Sequence, residues 1–313
     1  MIVRASAIAL LLALAAGPAT LAPRTAAAEP LAAATTPVDD VRRTILVGPS
    51  GQLWQPDGQG GWTRSAGGGV GTDVQGIAVA DDLIIAGSGT PLFRRHDDAW
   101  YGLRLGERGK THLGTGPAPA VSIGKEVFVW ARGAWTRVAT ADRPVVALWA
   151  ESDRKLFVAT DRAVLRLAGK KLVPALPLAA VRFAGRAPLA LTADGVVHDL
   201  ATRAALAPTA DGQPVTADAA TQAPDGTPWI LGRAGADRAL VRRTRTGWER
   251  RPAPPLAADD TVVHLAVDGS GRVLVATAAG AIHLADAAGA WTRGTLTTRL
   301  PDAKPGPGPA RMP

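Results

Sequence analysis

Apolar and polar positions alternate on a short scale along most of this chain. Runs of four to seven Val, Ile, Leu, Phe and Trp residues are separated by turns rich in Gly, Asp and Pro, a pattern of strands and not of helices. Between residues 41 and 301 no stretch of twelve residues carries helical periodicity. Residues 201–210 come nearest, and Pro208 interrupts them. The clearest unit spans 144–178. VVALWA (145–150), KLFVAT (155–160), AVLRL (163–167) and KKLVP (170–174) read as four strands joined by short polar turns. The same order returns in VVHLAV (262–267), RVLVAT (272–277), AIHL (281–284) and AWTRGTL (290–296). Each unit predicts one four-stranded antiparallel sheet.

A short aromatic phrase punctuates these units. It reads GGWTRS at 60–65, DAWYGL at 98–103, GAWTRV at 133–138, TGWERR at 246–251 and GAWTRG at 289–294. Its tryptophans are Trp62, Trp100, Trp135, Trp248 and Trp291, with spacings of 38, 35, 113 and 43 residues. The long gap holds two diverged copies, so the series has seven members. Such a period signals a radial β-repeat. The expected fold is all-β, a single β-propeller of four-stranded antiparallel blades, with seven blades. Six stays open, because the third unit (121–138) is short enough to be an insertion. Fainter units fall at 77–103, 179–200 and 215–251. The first, at 44–64, shows only three strands. A strand near 297–300, or one before Arg42, would complete it and remove the open edges. The five tryptophans are read as structural, packing between blades on the roomier outer strands. Ala and Val suit the crowded inner ones.

The ends differ from this pattern. Arg4, the apolar IALLLALAA at 8–16 and Ala26-Ala27-Ala28 form a secretory leader. The expected organisation is a signal peptide at 1–28, a flexible segment at 29–40, the propeller at 41–301 and a disordered Pro/Gly-rich tail at 302–313. The apolar core of the leader is too short to span a bilayer, and no later run of 18 apolar residues exists. With no cysteine, a lipid anchor on cysteine, a disulfide and a thiolate metal site are all excluded. The expected location is secreted or periplasmic, not as a lipoprotein.

The formal charge is +8, with arginine doublets at 42–43, 94–95, 242–243 and 250–251. A basic surface attracts anions. Yet the charges are spread along the chain, and with one tyrosine it lacks the interleaved aromatics of a nucleic-acid platform.

The repeat at 145–167 (VVALWAESDRKLFVATDRAVLRL) resembles the two-component-regulator-type propeller repeat, found in periplasmic sensor domains and in free exported proteins. Residues 272–284 (RVLVATAAGAIHL) match its second half, and 52–54 and 227–230 match loosely. Phe157 and Leu274 stand where that family often has tryptophan. The resemblance implies a propeller. With no kinase after it, the chain is expected to be a free exported protein of the bacterial envelope.

No catalytic constellation, cofactor motif or metal-ligand spacing stands out. His264 and His283 lie in neighbouring strands and form the nearest thing to a ligand pair. Asp194 and Asp225 are the acids available to a central-channel enzyme, but nothing pairs them. The glycines at 67–71 lack a P-loop context, and Ser88 lacks a nucleophile elbow. The turns DGQG (57–60) and DGSG (268–271) supply too few carboxylates for a calcium loop. The richest polar cluster is RRHDDAWY. Its Arg94, Arg95, His96, Asp97, Asp98 and Tyr101 form a candidate recognition loop, and the irregular connection 102–119 is a second candidate. The expected function is a non-catalytic module that binds an envelope or extracellular protein or senses a small ligand, as a monomer and without a cofactor. The alternatives are a lyase or glycoside hydrolase working in the central channel, and an arginine-mediated binder of anionic ligands.

Overall fold

The computed structural model describes residues 30–35, 40–65, 74–79, 83–87, 92–96, 99–106 and 109–297. The segments at 1–28 and 302–313, the glycines at 67–71, Ser88, Asp97 and Asp98 lie outside them. Among the described residues there is no α-helix, and no helix is long and apolar enough to cross a membrane. Six sheets have four strands, one has five and one is a two-stranded hairpin. The protein is all-β, with a β-propeller-like repeat of antiparallel sheets.

In the fourth sheet, Ala147–Ala150, Leu156–Ala159, Val164–Ala168 and Lys171–Leu176 follow one another in simple meander order. The seventh repeats this with Val262–Val267, Val273–Thr277, Ile282–Ala285 and Trp291–Gly294. The second begins with Val74–Val79, the fifth with Ala180–Ala184 and the sixth with Thr216–Gln222. The third sheet has four strands, not the three read from sequence. Its first is Thr111–Leu113, paired to Ala120–Ile123 within the supposed irregular connection.

The first strands of successive sheets lie against one another in chain order, and that of the seventh lies against that of the first. Seven apolar clusters fill the spaces between neighbouring sheets. One joins Leu46, Trp54 and Trp62 of the first sheet to Leu274, Ala276 and Ile282 of the seventh. Burying both faces of each sheet explains why the second strands read as nearly continuous apolar runs.

The first sheet takes strands from both ends of the described chain. Ala33–Thr35 pairs antiparallel with Ile45–Val47, and Leu296–Thr297 pairs parallel with Trp62–Arg64 on the other side. The sequence left the choice between two donors open; both contribute. Part of the segment expected to be flexible (29–40) is therefore a strand, held by backbone pairing that three small residues do not advertise. Gly61 allows the closing strand its approach. A Cβ there would stand 2.7 Å from the Thr295 hydroxyl and 3.1 Å from its carbonyl oxygen.

All five repeated tryptophans sit on the fourth strand of their unit's meander. Their depths differ. Trp62 is 1 % exposed, whereas Trp135, Trp248 and Trp291 are half-buried. The fully buried Trp54 and Trp149 and the nearly buried Trp229 come from a third, a first and a second strand. The expected rule of large residues outside and small ones inside is thus only partly followed.

Candidate functional site

A cavity of about 610 Å³ runs between the first strands, and all seven sheets line it. Its wall is mostly Ala, Val, Gly, Leu and Pro, and no Asp or Glu among the described residues contributes to it. Among its lining residues are two arginines, Arg182 and Arg186, two histidines, His112 and His264, and Gln222.

Strand register explains their placement. In the second, fifth, sixth and seventh sheets the first strand has a bulge near its start, skipping Gln75, Val181, Asp218 and Val263 in the pairing. A bulge adds a residue and re-aims those around it. The next residues are Gly76, Arg182, Ala219 and His264, and all four line the cavity. Gly76, His112, Arg182 and His264 each pair with the penultimate residue of the second strand, Ala86, Ser122, Leu191 and Ala276. They therefore occupy one level of the repeat. Ala147, opposite Ala159, and Ala219, opposite Leu231, fill the places between. Going round from the second sheet the level reads Gly, His, Ala, Arg, Ala, His. Each long side chain has small neighbours, which leaves it room.

The electrostatics follow from this crowding. Arg182 is exposed to the cavity yet encircled by protein, and desolvation lowers its pKa from the usual guanidinium value. Burial, helped by Arg182, pushes His264 down to about 4. Burial, helped by Lys110, pushes His112 down to about 4. The His112 Nε2 atom is buried without a hydrogen-bond partner among the described residues. Both imidazoles are neutral at pH 7, and the charge on the lining comes from Arg182 and Arg186. A depression at one side, lined by Lys110, His112, Thr160, Asp161 and Val181, adjoins the cavity.

These two histidines make stability depend on pH. Their folded pKa values lie below the unfolded value of 6.5, so the folded state refuses protons that the unfolded chain accepts. Stability is full above 6.5, falls as pH drops towards 4, and levels off below. Thermal unfolding across that window should show the melting temperature falling on acidification, with a shallower slope for His264→Gln.

The other sequence candidates are not drawn to this site. His264 and His283 face opposite sides of their sheet, because they pair with the adjacent residues Ala276 and Val275. No group of three or more His, Asp or Glu able to hold a metal occurs among the described residues. Asp194 and Asp225 are exposed turn residues outside the cavity lining; Asp194 accepts from the Thr192 hydroxyl and Asp225 from the Thr227 backbone at 2.8 Å. The candidate recognition loop joins the strands Leu92–His96 and Ala99–Leu103 at the outer side of the second sheet. There Arg94 pairs with Tyr101 and Arg95 with Trp100, next to His96. The Arg94 guanidinium lies 5.7 Å from the Trp130 ring of the third sheet, so it serves packing between sheets. Tyr101 is 53 % exposed.

The arginine doublets are engaged elsewhere too. Arg42 pairs with Asp40, Arg242 and Arg251 with Glu249, and Arg250 with Asp211. Arg243 stacks on Trp248. Sequence reasoning named a central channel but missed Arg182 and His112 in its lining. The available signal was one arginine inside an otherwise apolar first strand, AVRFA.

No protein-family model matches the chain, and no curated protein does. Solved structures match its shape. The WD40 β-propeller domain of Doa1 has 16 % identity and a TM-score of 0.56, over 82 % of this chain and 95 % of that one. BBS1N, in complex with ARL6DN, has 12 % identity and a TM-score of 0.54, over 77 % and 86 %. An ancestral GH74 enzyme has 12 % identity and a TM-score of 0.58, over 86 % of this chain but 46 % of that one. At such identities the likeness defines a class, the β-propellers, and the fold alone. Propellers bind proteins and catalyse reactions, so this chain's own residues must carry any functional argument.

Proposed function

We propose that this protein is an exported, non-catalytic, seven-bladed propeller that senses a small ligand in its axial cavity. The observation carrying this is the cavity itself: its size suits a small molecule, and its wall joins many Ala, Val, Gly and Leu residues to a few polar and basic groups. Closure of the ring is supported by the contact between the first and seventh sheets and by strands donated from both chain ends. The leader-like N-terminus and the resemblance to two-component-regulator-type repeats support an envelope location and a monomeric sensing role.

Binding fits this wall better than catalysis. Glycoside hydrolysis generally takes two carboxylates, and none lines the cavity. A general base works best with a pKa near the working pH, whereas His112 and His264 sit at about 4. Equilibrium dialysis of the full chain against a small-molecule envelope extract, with mass spectrometry of what is retained, tests the reading. A compound should be retained, recovered chemically unchanged, and lost in Val181→Trp, which puts a large ring on an exposed residue of the cavity lining. Retention unaffected by a folded Val181→Trp, or no retention at all, would sink the reading. Conversion of the compound would make the protein an enzyme.

A further inference from the structure

Resting on the axial-cavity reading, we infer that the ligand is a small organic carboxylate, held through its carboxylate by the Arg182 guanidinium with its apolar part against the Ala and Val wall. Three observations converge on this class.

The first is an uncompensated charge. Arg182 forms no hydrogen bond or ion pair among the described residues, and desolvation is the only influence on its ionisation. The surface arginines Arg42, Arg242, Arg250 and Arg251, by contrast, all have carboxylate partners. A guanidinium kept away from bulk water without a partner is costly, and an incoming anion would offset that cost. Its planar fork matches a carboxylate with two parallel hydrogen bonds.

The second is placement. The bulge at Val181 breaks the alternation that would otherwise govern the strand, leaving both Val181 and Arg182 exposed while Ala180 and Phe183 are buried. Ala147 and Ala219 stand at the same level in the neighbouring sheets. Both are small and packed into the cores between sheets, so neither projects a long side chain towards the guanidinium.

The third is the sign and polarity of the surroundings. No carboxylate lines the cavity, and Lys110 stands in the adjoining depression, so an anion approaches with little repulsion; Asp161 is the one acid there. His112, neutral at pH 7, adds a buried ring nitrogen with no partner among the described residues, and Arg186 adds a second positive charge to the lining. This balance of charge favours an anion, and the Ala and Val wall favours an apolar body behind it.

Calorimetric titration of the full chain with hexanoate and benzoate, beside hexanamide, benzamide and inorganic phosphate, separates the possibilities. The acids should bind at least tenfold more tightly than their amides. Arg182→Gln should remove that advantage and Arg182→Lys should keep part of it, both with unchanged circular dichroism. Acids and amides binding equally, with both lost in Val181→Trp, would overturn the carboxylate and leave the cavity reading standing. Phosphate binding without the acids would also overturn it. Failure of every probe would overturn it, and an empty dialysis experiment alongside would remove the cavity reading as well.

Discussion

Trp62→Ala should destabilise the protein by about 3–5 kcal/mol, the usual cost of truncating a fully buried tryptophan. At about 2–4 °C per kcal/mol for a domain of roughly this size or somewhat smaller, thermal unfolding should begin well below wild type. Trp62 is 1 % exposed and packs among Trp54, Leu274 and Ile282 where the first and seventh sheets meet. Its indole N–H donates to the Thr44 carbonyl at 2.7 Å, so truncation leaves that acceptor without this donor as well. Its backbone N–H donates to the Thr295 carbonyl, which ties the same residue to the closing strand. Trp135→Ala is the control. It is half-buried, its indole N–H has no partner, and it meets Trp130 edge-on at 5.5 Å. Its loss should cost less than half as much. Equal melting shifts for the two variants would show that burial depth does not rank these tryptophans.

Asp268→Ala should come next, at about 2–4 kcal/mol. Removing one partner of a fully buried ion pair costs about 3–5 kcal/mol, and the partial exposure of Arg272 reduces this. The carboxylate of Asp268 is 0 % exposed. One oxygen accepts from the Ser270 backbone and hydroxyl and from the Arg272 backbone, and the other from the Arg272 guanidinium at 2.7 Å. Arg272 reaches on to Asp40 at 3.2 Å, and Asp40 caps the short 3-10 turn Val41–Arg43. The DGSG turn is thus an anchor for the entering chain. Burial alone would raise the pKa of Asp268, but the hydrogen bonds from Ser270 and Arg272 outweigh it and hold the pKa below 3.8. A depressed carboxylate contributes above its unfolded pKa and loses that contribution as pH falls through the folded one. The gap in stability between wild type and Asp268→Ala should therefore be full at pH 7 and shrink below about pH 4. A gap unchanged at pH 2.5 would mean the network contributes through packing and not through charge.

How much of this was legible beforehand varied with the source of each element's stability. Strands such as Leu156–Ala159 and Val273–Thr277 carry their own apolar runs and turn residues, so sequence predicted both. Thr111–Leu113, Ala33–Thr35 and Leu296–Thr297 owe their strand character to the partners they pair with, and such tertiary effects override weak local preference. The missed strand hid more than itself, because His112 lies in it. Arg182 went unflagged because its direction depends on a bulge, which shifts the inside–outside pattern by one residue and leaves no mark in the spacing. The arginine doublets stood out by composition, yet their charges are largely satisfied at the surface. The informative arginine stands alone.

The two-ended first sheet also sets an order of events. Trp62 emerges early in synthesis, but its strand neighbour Leu296 lies 234 residues downstream. That sheet cannot acquire its fifth strand, nor Trp62 the seventh sheet's side of its cluster, until almost all of the described chain has been made. Contacts so distant in sequence must pay their loop-closure cost late and slow the approach to the native state. The seam that holds the finished molecule together is thus the last part to form, and until then the growing chain stays open.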